Sequence, residues 1–267
     1  MSASLIRPVF CLKQVEAQEN DVRPFGRLSY TRAAPPHFGL TPPASSFTRE
    51  ALVPAKKGLD IKMRIAVFGS TGPTGKVFLD AAAQYGHRTT AHVRDPSRLR
   101  DASADRVVVG EVFDEDVVCD TLTQADAALI AFGLKGNRTT ALYSRGTELI
   151  ISVMRRLEVP RLVVISEASY DSHVRGVLNR GITLLYGITQ RPIIRERRAQ
   201  DAAVASSGLH WTIMRPTILT DGPASARQYF YEGPRNSFLP RLSRRNLSHF
   251  ICDSLEDSST YSSNIYM

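Results

Sequence analysis

The sequence predicts an α/β protein with a doubly wound parallel sheet and helices on both faces. From Met63 onward, apolar runs of strand length alternate with segments that carry apolar residues at helical spacing. The apolar runs are nearly continuous, which is typical of parallel strands buried on both faces. We therefore expect a single domain over residues 63–267.

The first apolar run breaks into three glycines spaced three apart. Ile65–Phe68 is predicted to be a buried strand, and Gly69, Gly72 and Gly75 follow it. Glycines remove side chains where a backbone turns sharply against a phosphate, and the amides at the start of the next helix then point towards that anion. The pattern favours a dinucleotide site over an ordinary turn of small residues.

The remaining elements alternate along the chain. Predicted strands are Arg88–Val93, Val107–Val112, Ala127–Gly133, Leu162–Ile165 and His210–Met214. Predicted helices are Lys76–Tyr85, Asp114–Leu122, Thr139–Leu157, one that begins at Pro192, and a last one capped by Ser243. Gly86 is predicted to cap the first of them. In the helix that begins at Pro192, the residues predicted to face the sheet are Ala199, Ala202, Ala203 and Val204. Glu167–Gln190 is predicted to be an irregular loop beyond a central strand, where open α/β sheets bind substrate.

An arginine ends the second strand, at the position that usually reads the ribose. Arg94 lies nineteen residues beyond Gly75, where an NAD-selective protein usually has an acid that accepts from the 2′-hydroxyl. A guanidinium there favours a 2′-phosphate, and Arg98 lies one turn further on. We therefore predict NADP as the cofactor, with two solvated loop charges as the alternative.

Residues 1–62 differ from the rest of the chain in composition. They contain two Pro-Pro pairs and a Ser-Ser pair without helical or strand periodicity, which predicts a flexible N-terminal extension outside the fold. The first fifteen residues carry Arg7 and Lys13 but no acid, as organellar presequences do. We expect a cytoplasmic protein, with mitochondrial or other organellar import through this segment as the alternative.

Composition argues against several other function classes. The net charge is +8, but residues 1–62 hold nine Lys and Arg against five Asp and Glu, so half of the excess lies outside the predicted domain. No basic stripe is interleaved with aromatic residues, and nucleic-acid binding is not expected. No apolar run approaches the roughly 20 residues of a membrane span. Cys11, Cys119 and Cys252 lack metal-ligand spacing, so we expect free thiols and no metal.

Five stretches of the chain together form a family pattern: Phe68–Gly75, Val93–Leu99, Val107–Val112, Ser207–Pro216 and Leu242–Phe250. In these stretches the chain resembles the atypical short-chain dehydrogenase/reductases of the NAD(P)H-binding, NmrA-like group, and within that group the biliverdin-IXβ and flavin reductases. The resemblance extends over nearly all of residues 63–267. It implies a Rossmann-like fold and a reductase activity.

The resemblance also implies a role for each part of the cofactor site. Glu167 stands where the flavin-reductase relatives have a serine, which puts their substrate in doubt for this chain. The implied positions are Gly69, Thr71, Gly72, Pro73, Thr74 and Gly75 around the pyrophosphate, Arg94 and Arg98 at the 2′-phosphate, Glu111 and Val112 beside adenine, Phe132 and Gly133 under the nicotinamide ribose, and Ser166 at a hydroxyl position near the nicotinamide.

Conventional short-chain dehydrogenases move a proton through a Tyr-x-x-x-Lys pair. No lysine occurs after Lys135 in this chain, which excludes such a pair from the expected position. The remaining mechanism is direct hydride transfer to a conjugated small molecule, such as a flavin, quinone, tetrapyrrole or enone. Candidate catalytic residues are Ser166, with Tyr170 and His173 as alternative proton donors.

Several residues keep two interpretations each. Arg215 meets an acidic substrate group or belongs to a structural ion pair, and Tyr229–Tyr231 lines a pocket or packs the tail. The run Arg195–Arg198 is interpreted as a solvated helix face. We expect an NADPH-dependent reductase that is a monomer or weak homo-oligomer. The alternative is a non-catalytic NADP-binding sensor or assembly factor that acts through a protein partner, since it would also lack the Tyr-Lys pair.

Overall fold

The computed structural model describes residues 46–50, 62–99, 102–133, 141–167, 181, 184–185, 187–216, 218–224, 227–231 and 241–267, with the backbone alone for 46–50 and 227–231. Its strands are β1 (Ser46–Glu50), β2 (Arg64–Phe68), β3 (Arg88–Val93), β4 (Arg106–Val109), β5 (Ala127–Ile130), β6 (Arg161–Ile165), β7 (His210–Arg215), β8 (Ile218–Thr220), β9 (Arg227–Tyr231), β10 (Arg241–Ser243) and β11 (Ser263–Tyr266). Its main helices are α1 (Pro73–Gln84), α2 (Glu115–Leu122), α3 (Ser144–Arg156), α4 (Arg191–Ala205) and α5 (Arg244–Glu256).

Nine strands form the main sheet, in the order β1-β9-β11-β7-β6-β5-β2-β3-β4. The seven strands from β11 to β4 run parallel, whereas β9 is antiparallel to β11 and β1 is antiparallel to β9. The chain moves outwards from β2 to β4 and then returns to β5 on the other side. This is the Rossmann order, with its switch point between β2 and β5, and it confirms the predicted fold class.

Two apolar clusters lie on the two faces of this sheet. Ile65 and Val67 of β2 belong to the cluster that contains α1 and α5, whereas Ala66 and Phe68 belong to the cluster that contains α2 and α3. Successive side chains of a strand point to opposite faces, so all four residues of this central strand after the exposed Arg64 are apolar. The continuous apolar runs in the sequence follow from this burial on both sides.

Helix boundaries differ from the predictions in ways that the caps explain. Helix α1 begins at Pro73, three residues earlier than predicted, because proline is favoured in the first turn. Gly86 follows the helix with φ +82°, as predicted for a cap. In α4, Ala199 and Ala202 are exposed, and the prediction that they face the sheet is wrong. The buried positions of that helix are Ile194, Gln200 and Val204.

Other differences concern residues expected to be irregular. Strand β1 lies within residues 1–62, so five residues of the expected extension belong to the sheet. The predicted start of the domain at Met63 stays a prediction. Residues 187–189 are helical, although we expected an irregular loop there. Strands β8 and β10 form a separate parallel pair that the sequence did not predict.

The cysteines only partly match the expectation of free thiols. Cys252 is free and buried, whereas Cys119 is disulfide-bonded, and the prediction for it is wrong. Cys11 lies outside the described residues. Within the described ranges, no group of His, Cys, Asp or Glu has the arrangement of a metal site. Among the helices in those ranges, none has the length and apolarity that a bilayer crossing requires.

A buried arginine joins the amino-terminal ends of β6 and β7 to α5. Arg161 is 2% exposed, and its guanidinium donates to the backbone oxygens of His210 and Ser254, each at 2.8 Å, and to Thr260 Oγ1 at 3.2 Å. It lies 4.7 Å from the centroid of the Tyr261 ring. Burial lowers its pKa to about 10, so Arg161 remains charged at neutral pH.

We expect Arg161→Met to lower the free energy of unfolding by about 3 kcal/mol, because it leaves buried acceptors without a donor. Urea unfolding at pH 7.5 measures this loss. Arg155→Met is the matched control: Arg155 also donates to backbone oxygens, those of Ser206 and Ser207, but is exposed, so water replaces it. Equal losses in the two variants would contradict the role of burial.

Two histidines are buried within or beside the sheet. Burial lowers the pKa of His87 to about 4, and the charge of Lys62 acts in the same direction. Burial also lowers the pKa of His92 to about 4; a hydrogen bond with the Gly110 backbone opposes the shift, whereas Arg94 adds to it. Both imidazoles are therefore neutral in the folded protein at neutral pH.

These two groups predict a loss of stability in acid. Between pH 6.5 and about 4 the unfolded chain binds protons that the folded chain does not, so the free energy of unfolding falls as the pH falls through this window. Each histidine contributes a slope of at most about 1.4 kcal/mol per pH unit. Urea unfolding of His87→Gln across this range should show a shallower decline than the parent protein. An equally steep decline in His87→Gln and in the parent protein would contradict this role of His87.

Candidate cofactor site

The glycine turn is packed so closely that two of its residues must lack a side chain. Gly69 has φ +87°, and a Cβ atom there would lie 2.4 Å from the backbone oxygen of Ala131. A Cβ atom on Gly75 would lie 2.3 Å from the backbone oxygen of Gly69. The turn therefore brings the ends of β2 and β5 and the start of α1 into backbone contact.

Helix α1 presents its first turn to the space above this contact. Its N-cap is Gly72, which supplies no side-chain hydrogen bond, and its first turn contains no acidic residue. Helix N-termini attract anions through their unpaired amides and the helix dipole. A cradle of glycines at an uncapped helix start fits the pyrophosphate of a dinucleotide; the specific contacts of Thr71, Pro73 and Thr74 stay predictions.

Ser70 connects this turn to the end of β3, which the sequence did not indicate. Its Oγ donates to the backbone oxygen of His92 at 2.6 Å, and the serine is fully buried. His92 packs against Phe68, with 5.4 Å between the ring centroids. Two residues later the chain reaches Arg94, so this buried contact fixes the predicted ribose-reading arginine relative to the glycines.

Arg94 and Arg98 are both exposed beyond β3. Asp95 lies between them, but its carboxylate accepts from the Ser97 amide at 3.0 Å. Hydrogen bonds from the Ser97 hydroxyl and amide lower the pKa of Asp95. In the part of the chain that the structure describes, neither guanidinium forms an ion pair within 4.0 Å, although the charge of Arg98 also lowers the pKa of Asp95. Arg94 therefore remains available to an anion.

The residues predicted to contact adenine follow β4. Glu111 is exposed, whereas Val112 is 3% exposed and packs into a core cluster. Gly110 precedes them, and a Cβ atom there would lie 2.5 Å from a methyl group of Val117. The glycine therefore makes room for α2. The adenine contacts of Glu111 and Val112 stay predictions.

Phe132 and Gly133 follow β5, next to the glycine turn. Phe132 is 8% exposed. Among the described residues other than its chain neighbours, none has an atom within 4 Å of the position that a Cβ atom on Gly133 would take. The Ala131 amide donates to the Phe68 backbone oxygen at 2.8 Å. The residues predicted for the nicotinamide ribose thus lie at the same edge of the sheet as those predicted for the pyrophosphate.

The predicted catalytic residues are only partly covered by the structure. Ser166 lies at the end of β6, is 4% exposed, and donates its amide to the Met214 backbone oxygen at 2.8 Å. Tyr170 and His173 lie outside the described residues. The catalytic roles of all three stay predictions.

Arg215 is 8% exposed, at the end of β7. It pairs with Asp201 at 2.9 Å, and its Nε donates to Asn264 Oδ1, also at 2.9 Å. A third bond joins its Nη1 to the backbone oxygen of Glu167 at 3.2 Å. These contacts favour the structural ion pair, which connects β7 to α4 and β11, over binding of a substrate acid.

A second polar cluster, which sequence reasoning missed, lies beside the carboxyl ends of β5 and β6. Arg197 lies with its guanidinium carbon 4.4 Å from the centroid of the Tyr143 ring and donates from Nη2 to the Tyr143 hydroxyl at 3.1 Å. Its Nε lies 3.5 Å from a carboxylate oxygen of Glu167. The interpretation of Arg195–Arg198 as a solvated face is therefore wrong for Arg197. Its helical spacing of three from Ile194 and from Gln200 is the feature of the sequence that indicates its burial.

Known proteins share this fold and parts of this sequence. A short-chain dehydrogenase/reductase from Veillonella parvula in complex with NADP is 16% identical, with a TM-score of 0.63 over 76% of this chain and 93% of that chain. A protein from Streptococcus pneumoniae, provisionally named an NADH-flavin reductase, is 20% identical, with a TM-score of 0.60 over 76% of this chain and 98% of that chain. At these identities the likeness shows the fold.

A curated relative matches by sequence over a shorter stretch. The 3-diazoavenalumate denitrifying reductase of a Streptomyces species is 31% identical over 118 residues, which are 40% of this chain and 38% of that protein. The chain thus matches less than two thirds of that relative's length. Residues 69–258, from the glycine turn to the segment after α5, match the NAD(P)H-binding family. The chain belongs to this NAD(P)H-binding family.

Proposed function

We propose that this protein is an NADPH-dependent reductase that transfers a hydride to a flat, conjugated small molecule. The observation that carries the proposal is a glycine cradle packed against β5 with an exposed arginine at the end of β3. The reductase from Streptomyces and the flavin-reductase neighbour support an activity of this kind. The absence of lysine after Lys135 supports an acceptor that needs no Tyr-Lys pair.

NADP is the proposed form of the cofactor, since Arg94 stands where an acid would otherwise favour NAD. The NADP complex of the Veillonella protein is consistent with this choice for a related fold. Among the described residues Asp95 forms no ion pair with Arg94, and its carboxylate accepts a hydrogen bond from the Ser97 amide instead. A guanidinium can bind a phosphate through two parallel hydrogen bonds.

The chemistry proposed for the chain itself is mainly binding and orientation. The bound cofactor supplies the hydride. The α1 amides hold the pyrophosphate, Phe132 and Gly133 support the nicotinamide ribose, and the carboxyl ends of β5 and β6 hold the acceptor. Positioning of this kind supplies much of the rate of a reaction that needs no covalent intermediate.

Arg94→Ala should weaken NADPH binding by about 30-fold or more, the value of a charge-assisted contact of roughly 2 kcal/mol or more. NADH affinity should change by less than about threefold, because NADH lacks the 2′-phosphate. Fluorescence titration of both cofactors measures the two effects. Arg88→Ala is the control, at the opposite end of the same strand. Equal loss of both cofactors would show that Arg94 does not face the 2′-phosphate.

The activity itself is tested by mixing the purified protein with NADPH and a panel of flavins, quinones and enones while absorbance at the NADPH band is followed. We expect oxidation above the enzyme-free rate with at least one acceptor. Tight NADPH binding without turnover, together with a co-purifying protein, would favour the non-catalytic sensor instead. Failure to bind either dinucleotide would exclude both functions.

A further inference from the structure

The cluster of Tyr143, Arg197 and Glu167 contains an arginine with unused hydrogen-bond donors. Nε and Nη1 of Arg197 are buried and have no hydrogen-bond acceptor in the part of the chain that the structure describes. Among the described residues, Nη2 donates to the Tyr143 hydroxyl, and Nε lies 3.5 Å from a Glu167 carboxylate oxygen in an ion pair without hydrogen-bond geometry. Nη1 has neither kind of contact within those residues. Burial of an unpaired donor is unfavourable, so a buried guanidinium in this state is suited to an oxygen atom that arrives with a ligand.

This guanidinium is held rigidly by the packing of α3 on α4. Ser144 Oγ donates to a carboxylate oxygen of Glu196 at 2.6 Å, and Gln200 Nε2 donates to Thr147 Oγ1 at 2.9 Å. The two pairs lie on either side of Arg197 along α4. Because the residue before Arg197 and the residue three positions after it are both hydrogen-bonded to α3, this part of α4 is positioned before any ligand binds, as preorganised electrostatic stabilisation requires.

The cluster lies at the edge of the sheet where the proposed reaction takes place. The Tyr143 ring packs edge-on against Phe132, with centroids 6.5 Å apart, and Phe132 follows β5. Glu167 follows β6, and its backbone oxygen accepts from Arg215. The side chains of Arg197 and Glu167 are 14% and 22% exposed, whereas Tyr143 is 1% exposed. The more exposed side of the guanidinium is therefore the side of Glu167, from which a ligand would approach. The buried Tyr143 contacts the guanidinium and orients it.

We propose that Arg197 binds the carbonyl oxygen of the acceptor and stabilises the negative charge that develops there. This inference rests on the proposed function and narrows its substrate class to a conjugated carbonyl compound, a quinone or an enone. Hydride addition forms a C–H bond at the carbon end of the conjugated system, and the displaced π electrons move to the carbonyl oxygen. Water supplies the proton that completes the neutral product, and the dinucleotide is left oxidised.

An arginine suits this role because its charge persists at any pH in use and its planar fork offers several donors at once. Donors aimed at the oxygen where charge develops commonly contribute 10²- to 10³-fold to the rate. Arg197 would thus supply a cation beside the acceptor in a chain that has no lysine after Lys135.

Arg197→Gln tests this role, with Arg195→Gln as the control because Arg195 is an exposed arginine two residues earlier on the same helix. With a naphthoquinone as acceptor, kcat should fall by roughly 100-fold in Arg197→Gln and by less than about twofold in the control. NADPH affinity and the midpoint of thermal unfolding report whether the fold and cofactor site remain. Arg197→Lys keeps the cation without the fork and should retain an intermediate rate.

Binding of 4-nitrophenol in the presence of NADP+ gives a readout that needs no turnover. Bound beside Arg197, this probe should ionise at a lower pH than in solution and develop its yellow colour, and Arg197→Gln should abolish that shift. If folded Arg197→Gln keeps both the kcat and the nitrophenolate binding of the parent protein, the role of Arg197 is overturned, whereas the proposed reductase function is not. Nitrophenolate binding that depends on Arg197 without any turnover would instead overturn the proposed function and leave the oxyanion site standing.

Discussion

The candidate site depends on the backbone contact between Gly69 and Ala131. The end of β2 and the end of β5 approach so closely that a Cβ atom on Gly69 would collide with the backbone oxygen of Ala131. Gly75 lets α1 pack equally closely against the backbone oxygen of Gly69. Three segments of main chain therefore meet without side chains between them. The space left above them is lined by amide groups, which makes phosphate binding a property of backbone geometry.

That constraint explains why this half of the site can be predicted from a single sequence. The glycines, Pro73 and Arg94 act through local geometry or through a fixed spacing along one β-α-β unit, so their pattern is visible without a structure. The predicted bounds of β3 agree with the observed ones because Gly86 and Arg94 delimit a short segment that contains three β-branched residues, Thr89, Thr90 and Val93. By contrast, β11 has one buried residue, Ile265, and its pairing with β7 joins distant parts of the chain, so its local pattern is weak.

The other half of the site depends on contacts over long sequence separations. Tyr143 and Arg197 are 54 residues apart, and Glu167 reaches Arg197 from a third element. Four charged residues in succession on a helix ordinarily indicate a solvated face, yet one position in such a run must face inwards when the helix packs on a neighbour. Position 197 faces inwards because it shares a helix face with Ile194 and Gln200, which are buried. The charged composition of the run gives no sign of this partial burial.

The position of β11 in the sheet has a consequence for how the chain acquires its structure. This strand follows all the others in sequence, yet it lies between β7 and β9 in the sheet. During synthesis the edge of β7 that pairs with β11 therefore stays unpaired until residues 263–266 have been made. Unpaired strand edges of this kind can pair with other chains and cause aggregation. Closing that gap late adds contacts of high sequence separation, which slow folding. The vulnerable state of this protein is thus a nascent chain whose cofactor cradle is already complete but whose sheet is not.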